Sequence, residues 1–209
     1  MRQSILISGI SGRLGRSIKN ALTPHHIIHG HHKHQSLEEC IKTSSCDLII
    51  DASSSLSIHA HIAIYLKAQI PTIILTSGIT PQAATDYCQR AHFPFIIVPN
   101  LSKGFRDFLQ TALQLNKQYP ALKIIETHSS HKKDSPSGSS LFLSHKLGGV
   151  DIESKRVEQY IAKHEIVFSS EHDTITLSHT TTSPKAFMCG VLTAIEKINT
   201  VSHGTILLE

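Results

Sequence analysis

The residues best equipped for chemistry lie in one stretch, Glu126-Thr127-His128-Ser129-Ser130-His131-Lys132-Lys133-Asp134-Ser135-Pro136-Ser137-Gly138-Ser139-Ser140. His128 follows a strand-like run, Leu122–Thr127, and an imidazole there can give up a proton near neutral pH. Lys132 can neutralise an anion. Pro136-Ser137-Gly138-Ser139 opens a predicted helix, from about Ser139 to Leu147. The first turn of a helix carries unpaired N–H groups and the positive end of its dipole. With the Ser137 and Ser139 hydroxyls it makes a carboxylate site. This set suits reduction of a small dicarboxylate. An exposed basic loop with an ordinary N-cap fits the same residues.

A second constellation is Gly9-Ile10-Ser11-Gly12-Arg13-Leu14-Gly15, after the apolar run Ser4–Ser8. Here Gly9 would permit a tight turn, Gly12 would let backbone approach a pyrophosphate, and Gly15 would let a helix pack on the strand. Arg13 and Arg16 could add charge. The spacing is G-x-x-G-x-x-G, looser than the dinucleotide fingerprint, and a glycine turn without ligand is the alternative. Acid is missing where the second strand ends, at Gly30-His31-His32-Lys33. A basic end there favours a 2′-phosphate, so His32 and Lys33 point to NADPH, with NADH possible. Solvated loop residues would read the same.

These groups need elements to hold them. Buried strands are predicted at Ser4–Ser8, His26–Gly30, Asp47–Ala52, Pro71–Thr76 and Phe93–Val98. Helices should lie between them, one opened by the Ser36–Glu39 capping box and one started by Thr80-Pro81. Five such alternations predict an α/β, Rossmann-like, doubly wound parallel sheet. After Asn100 the pattern changes. A helix is expected over Gly104–Asn116, and strands over Leu122–His128, Glu158–Ala162, Glu165–Phe168 and Thr174–His179. Consecutive strands suggest a smaller α+β unit with a mixed or antiparallel sheet. A helix over Phe187–Ile198 and a strand over Gly204–Leu208 follow.

Composition excludes several classes. The 209 residues are 40% hydrophobic and 17% charged, enough for two small cores. No apolar run approaches the ~20 residues that span a bilayer, and Met1–Ile10 lacks signal-peptide features. A cytoplasmic protein without a membrane partner is expected. The net charge of +4 is too mild to argue for nucleic acid. Cys40, Cys46, Cys88 and Cys189 form no C-x-x-C pair. Sixteen histidines, six of them at 25–34, invite a metal reading, but solvated or packing roles suit a strand and loop better, so no metal is expected.

The acid-to-serine stretch resembles the signature E-x-H-H-x-x-K-x-D-x-P-S-G-T-A of the 4-hydroxy-tetrahydrodipicolinate (dihydrodipicolinate) reductase family. Gly9–Arg16 resembles its G-x-x-G-R-M-G, Asp51-Ala52-Ser53 its D-F-T, Thr76-Ser77-Gly78 the end of G-T-T-G, and Asn100–Gly104 its N-F-S-x-G. His179, Phe187 and Gly190 resemble H-x-A-x-S-R-x-x-F-A-x-G. The motifs occur in family order over nearly the whole chain. Four positions depart: Ser129 stands for the second histidine, Pro184 for the arginine, Leu75 for the first glycine of G-T-T-G, and Leu101 for the aromatic.

The resemblance implies that His128 is the catalytic acid and that Lys132 holds a substrate carboxylate. Ser137, Gly138 and Ser139 would hold the other carboxylate, with Ser129 at the place of one substrate contact. Gly9, Gly12, Arg13, Leu14 and Gly15 would lie along the pyrophosphate. Ser77 and Gly78 would lie near the nicotinamide, with Leu101 beside it, and Ser53, Thr76 and Asn100 would belong to the same cofactor site. It also implies a nucleotide domain of residues 1–101 completed by 185–209, a substrate and oligomerisation domain of 102–184, a homotetramer, and reduction of 4-hydroxy-tetrahydrodipicolinate in lysine/diaminopimelate biosynthesis. A reductase of another small acid, or a non-catalytic dinucleotide-binding regulator, would share much of this pattern.

Overall fold

The computed structural model describes residues 2–132, 134–159, 162–183 and 185–207. The chain divides into two compact units, one of residues 2–99 with 190–207 and one of residues 100–189.

Unit 1 alternates strand and helix: β1 (Ser4–Ser8), α1 (Arg13–Leu22), β2 (Ile27–His31), α2 (Leu37–Ser44), β3 (Leu48–Asp51), α3 (Ile58–Ala68), β4 (Thr72–Ile74), α4 (Pro81–Arg90) and β5 (Phe95–Ile97). Near the C-terminus, β10 (Gly204–Ile206) adds a sixth strand. The sheet is parallel throughout, in the order β10-β5-β4-β3-β1-β2. Its central strands read as unbroken apolar runs because both faces are covered: Ile5, Leu6, Ile7, Ile49 and Ile50 are all fully buried. The chain order reverses beside β1, which places a topological switch point between β1 and β3 at the carboxyl ends of the strands. This is the Rossmann-like sheet expected from the alternation.

Unit 2 holds α5 (Lys103–Leu115), β6 (Ala121–Ser129), α6 (Gly138–Lys146), β7 (Ile152–Val157), β8 (Ala162–Ser169) and β9 (Thr174–Thr181). Its sheet, β7-β6-β8-β9, is mixed: β6 pairs parallel with β7 and antiparallel with β8, and β8 pairs antiparallel with β9. Alternation sets the faces. Ile124, Glu126 and His128 of β6 and His164, Ile166 and Phe168 of β8 point to the buried side. The last helix, α7 (Ala186–Ile198), buries Gly190, Val191, Ala194 and Ile198.

One strand lies elsewhere than expected. The reading placed it at Glu158–Ala162, whereas β7 is Ile152–Val157. Its sequence, Ile-Glu-Ser-Lys-Arg-Val, is an edge strand rich in charge, with no apolar run to mark it. Residues 160 and 161 of the expected strand lie outside the described residues, as do Lys133, Pro184 and Leu208.

Candidate functional site

In unit 1 the first turn is built by glycines. Gly9 has φ +79, and a Cβ there would sit 2.5 Å from the Ala52 carbonyl oxygen. A Cβ at Gly15 would run into the Gly9 carbonyl, so α1 approaches the turn closely only without a side chain. Gly12 caps α1 with its backbone; its N–H donates to Gly9 O at 2.9 Å. Arg13 is exposed and Leu14 half-buried in the first turn.

Over this turn opens a cavity of about 400 Å³, lined by Gly9, Ser11 and Gly12 from the first turn, His31 at the end of β2 with Lys33 and Gln35 beyond it, and Ser53, Ser54 and Ser57 after β3. It lies at the switch point, among backbone N–H groups that no acid faces in the first turn of α1. A glycine cradle that a Cβ would fill, a helix N-terminus and one flexible cation fit a dinucleotide. Lys33 lines the cavity; His32, also exposed, is not among its lining residues.

Asp51 was read only as part of a motif, yet it organises this end of the sheet. It is fully buried. It accepts from the Ser53 N–H and hydroxyl at 3.0 and 2.7 Å, from His61 Nδ1 at 3.0 Å, from the Tyr65 hydroxyl at 2.7 Å, and from the Thr76 hydroxyl. Burial alone would raise its carboxyl. The bonds from His61, Thr76, Tyr65 and Ser53 outweigh this and hold it below the ordinary range. Thus the Ser53 and Thr76 hydroxyls are committed to Asp51, and they tie the β3 and β4 ends together. Ser77 is exposed, and Gly78 has φ +98 with Ser55 against it.

In unit 2 the acid-to-serine stretch folds around a second buried carboxylate, Glu126. Cross-strand register puts Ser154 of β7 and His164 of β8 beside it, with Arg156 opposite His128. Glu126 accepts from the Ser137 N–H at 3.1 Å, the Ser140 and Ser154 hydroxyls at 2.8 Å each, and Arg156 Nη2 at 3.1 Å. His128 Nδ1 lies 3.2 Å from Oε2, in ion-pair range but without hydrogen-bond geometry. Burial would raise the Glu126 carboxyl, but contacts from His128, Ser137, Ser154 and Ser140 drive it far below the usual range. It is an anion at any physiological pH.

The expected site residues surround this hub. His128 is buried, and Lys132 pairs with Asp134 at 2.9 Å. Ser129 contacts His131 Nδ1 at 3.2 Å. Ser137 caps α6, accepting from the Ser140 N–H at 3.2 Å. With its own N–H given to Glu126, both polar groups of Ser137 are engaged, while Gly138 and Ser139 form the first helical turn. Asn100 groups with unit 2: its Nδ2 donates to Ser139 Oγ at 2.8 Å and its Oδ1 accepts from the Ser102 N–H. Leu101 is buried beside it in the sequence.

His164 carried no expectation. It is 3% exposed and stacks edge-on against His128, ring centroids 5.2 Å apart, and against Phe105 at 5.3 Å. Neither ring nitrogen has a hydrogen-bond partner among the described residues. Burial, helped by His128, pushes it down to about 3, so it is neutral. Glu126, His128 and His164 each offer an atom within 4.8 Å of the others, a separation a metal ion could bridge. Both Glu126 oxygens, however, already accept protein donors, one of them the Arg156 guanidinium, and this donor set does not suit a cation. The signal for these residues was present in sequence: an acid inside an apolar strand, Ile125-Glu126 or Ile50-Asp51, must find donors when buried.

Comparison with known proteins agrees with this architecture. A family model described as "Dihydrodipicolinate reductase, N-terminus" matches residues 3–101, and its "C-terminus" counterpart matches residues 105–209. A 4-hydroxy-tetrahydrodipicolinate reductase of Coxiella burnetii (strain RSA 493 / Nine Mile phase I) is 25% identical over 236 residues, covering 100% of this chain and 99% of the relative. One from Gluconobacter oxydans (strain 621H) is 28% identical over 176 residues, covering 72% and 71%. The fold is similar to the dipicolinate-bound dihydrodipicolinate reductase from Paenisporosarcina sp. TG-14, with a TM-score of 0.74 at 20% identity, covering 100% of this chain and 98% of that one. With family models spanning both halves and the folds alike from end to end, the chain belongs to the dihydrodipicolinate reductase family.

Proposed function

We propose that this chain reduces 4-hydroxy-tetrahydrodipicolinate to tetrahydrodipicolinate with a nicotinamide dinucleotide, in lysine/diaminopimelate biosynthesis. The observation that carries the reading is the grouping in unit 2 of a proton donor, a cation and a helix N-terminus: His128, Lys132 and the first turn of α6. When bound, the reduced nicotinamide supplies a hydride, and the overall change adds a hydride and a proton to the ring as water leaves. The remaining work falls to the chain. Lys132 neutralises one substrate carboxylate. The N–H groups of Gly138 and Ser139 receive the other, with Ser137 shaping the turn rather than contacting substrate. His128 donates the proton that completes the reduction.

Gly9, Gly12, Arg13, Leu14 and Gly15 hold the pyrophosphate. Lys33 in the cavity favours a 2′-phosphate, and hence NADPH over NADH. The residue assignments and the 1–101/185–209 and 102–184 domain boundaries rest on family position and on the chemistry above. A homotetramer associated through the unit 2 sheet and a cytoplasmic setting follow from the same likeness.

The experiment is oxidation of NADPH and of NADH by the purified chain, with substrate generated in place by the preceding synthase. Turnover should favour NADPH, and His128→Ala should lose about 10²–10⁴-fold in kcat. A folded protein that binds a dinucleotide yet turns over neither would overturn the assignment and favour a regulator.

A further inference from the structure

The Glu126 carboxylate has no role in the reading above, although a buried charge is costly unless something requires it. Its five contacts divide into two sets. Ser154 and Arg156 anchor it to β7. On the other side it meets His128 Nδ1 at 3.2 Å and the Ser137 N–H at 3.1 Å, while Ser140 repeats the link to α6 at 2.8 Å. One carboxylate therefore touches both the ring assigned as proton donor and the turn assigned as carboxylate receptor.

We propose that Glu126 is a positioning residue for the reduction: its charge, 3.2 Å from Nδ1, holds the His128 ring with Nε2 left for substrate, and it sets the α6 N-terminus against that ring through the Ser137 N–H. The inference rests on His128 being the acid. An anion beside the far nitrogen also balances the charge of a ring that must carry a proton in order to donate it. The other charged or titratable groups beside this ring are Arg156, its register partner on β7, and His164 on β8; His179 on β9 and Lys132 on the loop act on His164. Both His164 and His179 are lowered by burial, and Arg156 is permanently charged, so Glu126 is the anion in contact with Nδ1.

Glu126→Gln keeps shape and removes the charge. In the full-length enzyme its kcat should fall about 10–100-fold, and the alkaline limb of the kcat–pH profile should move to lower pH. Ser154→Ala removes a donor from the opposite oxygen. It should lower thermal stability while leaving that profile in place, whereas a purely structural role for Glu126 would leave the profile in place in both variants. Glu126→Asp keeps the charge but shortens the reach. It should lose at least about tenfold in kcat, and it serves if Glu126→Gln does not fold. Wild-type kcat with an unmoved limb in a folded Glu126→Gln, full activity in Glu126→Asp, or the same shifted profile in Ser154→Ala would overturn the proposal. An inactive wild type would instead sink the reductase reading itself.

Discussion

At the scale of single residues, buried charge and buried histidine dominate, and both make stability depend on pH. His164 sits near 3 in the folded chain against 6.5 in the unfolded one. Between those values the unfolded chain binds a proton that the folded chain refuses, so stability falls as pH drops below 6.5. The slope from one such group is at most about 1.4 kcal/mol per pH unit. Asp51 and Glu126 are held below their unfolded values of 3.8 and 4.5. Their contribution is present above those values and is lost as pH falls through the folded ones. Urea unfolding should therefore have a lower midpoint at pH 5.0 than at pH 7.5. His164→Leu should narrow that gap, and an unchanged gap would refute the account. Of these three residues, sequence marked two as acids in motifs and said nothing of their partners. A carboxylate's donors come from other strands through register, which no local pattern encodes. The glycines were legible because part of their demand is local: Gly9 takes φ +79 within the turn itself, and Gly15 meets the backbone of Gly9 and Ile10 in the same turn.

At the scale of elements, the helix starts at Ser36, Thr80 and Ser137 were legible, while the cap at Ser102 was not read and its helix was expected from Gly104. Ser36, Thr80, Ser102 and Ser137 each accept an N–H bond three residues on, from Glu39, Ala83, Phe105 and Ser140. Thr80 makes the cleanest test, since its hydroxyl serves α4 alone and Pro81 already sets the first turn. Thr80→Ala should cost about 1 kcal/mol of unfolding free energy by denaturant titration with an unchanged m-value. No measurable cost would show that α4 is held by packing alone. Four of the six strands of the parallel sheet, β1, β3, β4 and β5, were equally visible, as apolar runs covered on both faces. Strand β7 was not. It lies at an edge, half of it faces solvent, and its place beside β6 is set by pairing rather than by its own residues.

At the scale of the molecule, a dinucleotide that binds only the folded chain must raise its stability by mass action. NADPH at a hundred times its dissociation constant should add about 2.7 kcal/mol, read as an upward shift of the calorimetric transition. NADH at the same molar concentration should add less if Lys33 reads a 2′-phosphate. Equal shifts would remove the case for NADPH preference, and no shift from either would place the cavity outside dinucleotide binding. Alternation of strand and helix made the sheet's parallel character legible, because consecutive parallel strands require crossovers. The sixth strand was less so: Gly204-Thr205-Ile206 is too short to declare which neighbour it will join.

That strand has a consequence for how the chain is made. β10 pairs in register with β5, and the Gly204 N–H donates to the Ala91 carbonyl. Gly204 lies so close to Cys88 that any side chain would meet its backbone. The outer edge of the first sheet is thus built from residues that the ribosome adds after every residue of unit 2. While unit 2 emerges, β5 presents an unpaired apolar edge, of the kind that invites pairing with another nascent chain. The order in which this protein matures is therefore the reverse of its reading order: the continuous second unit can close first, and the first unit must wait for the tail.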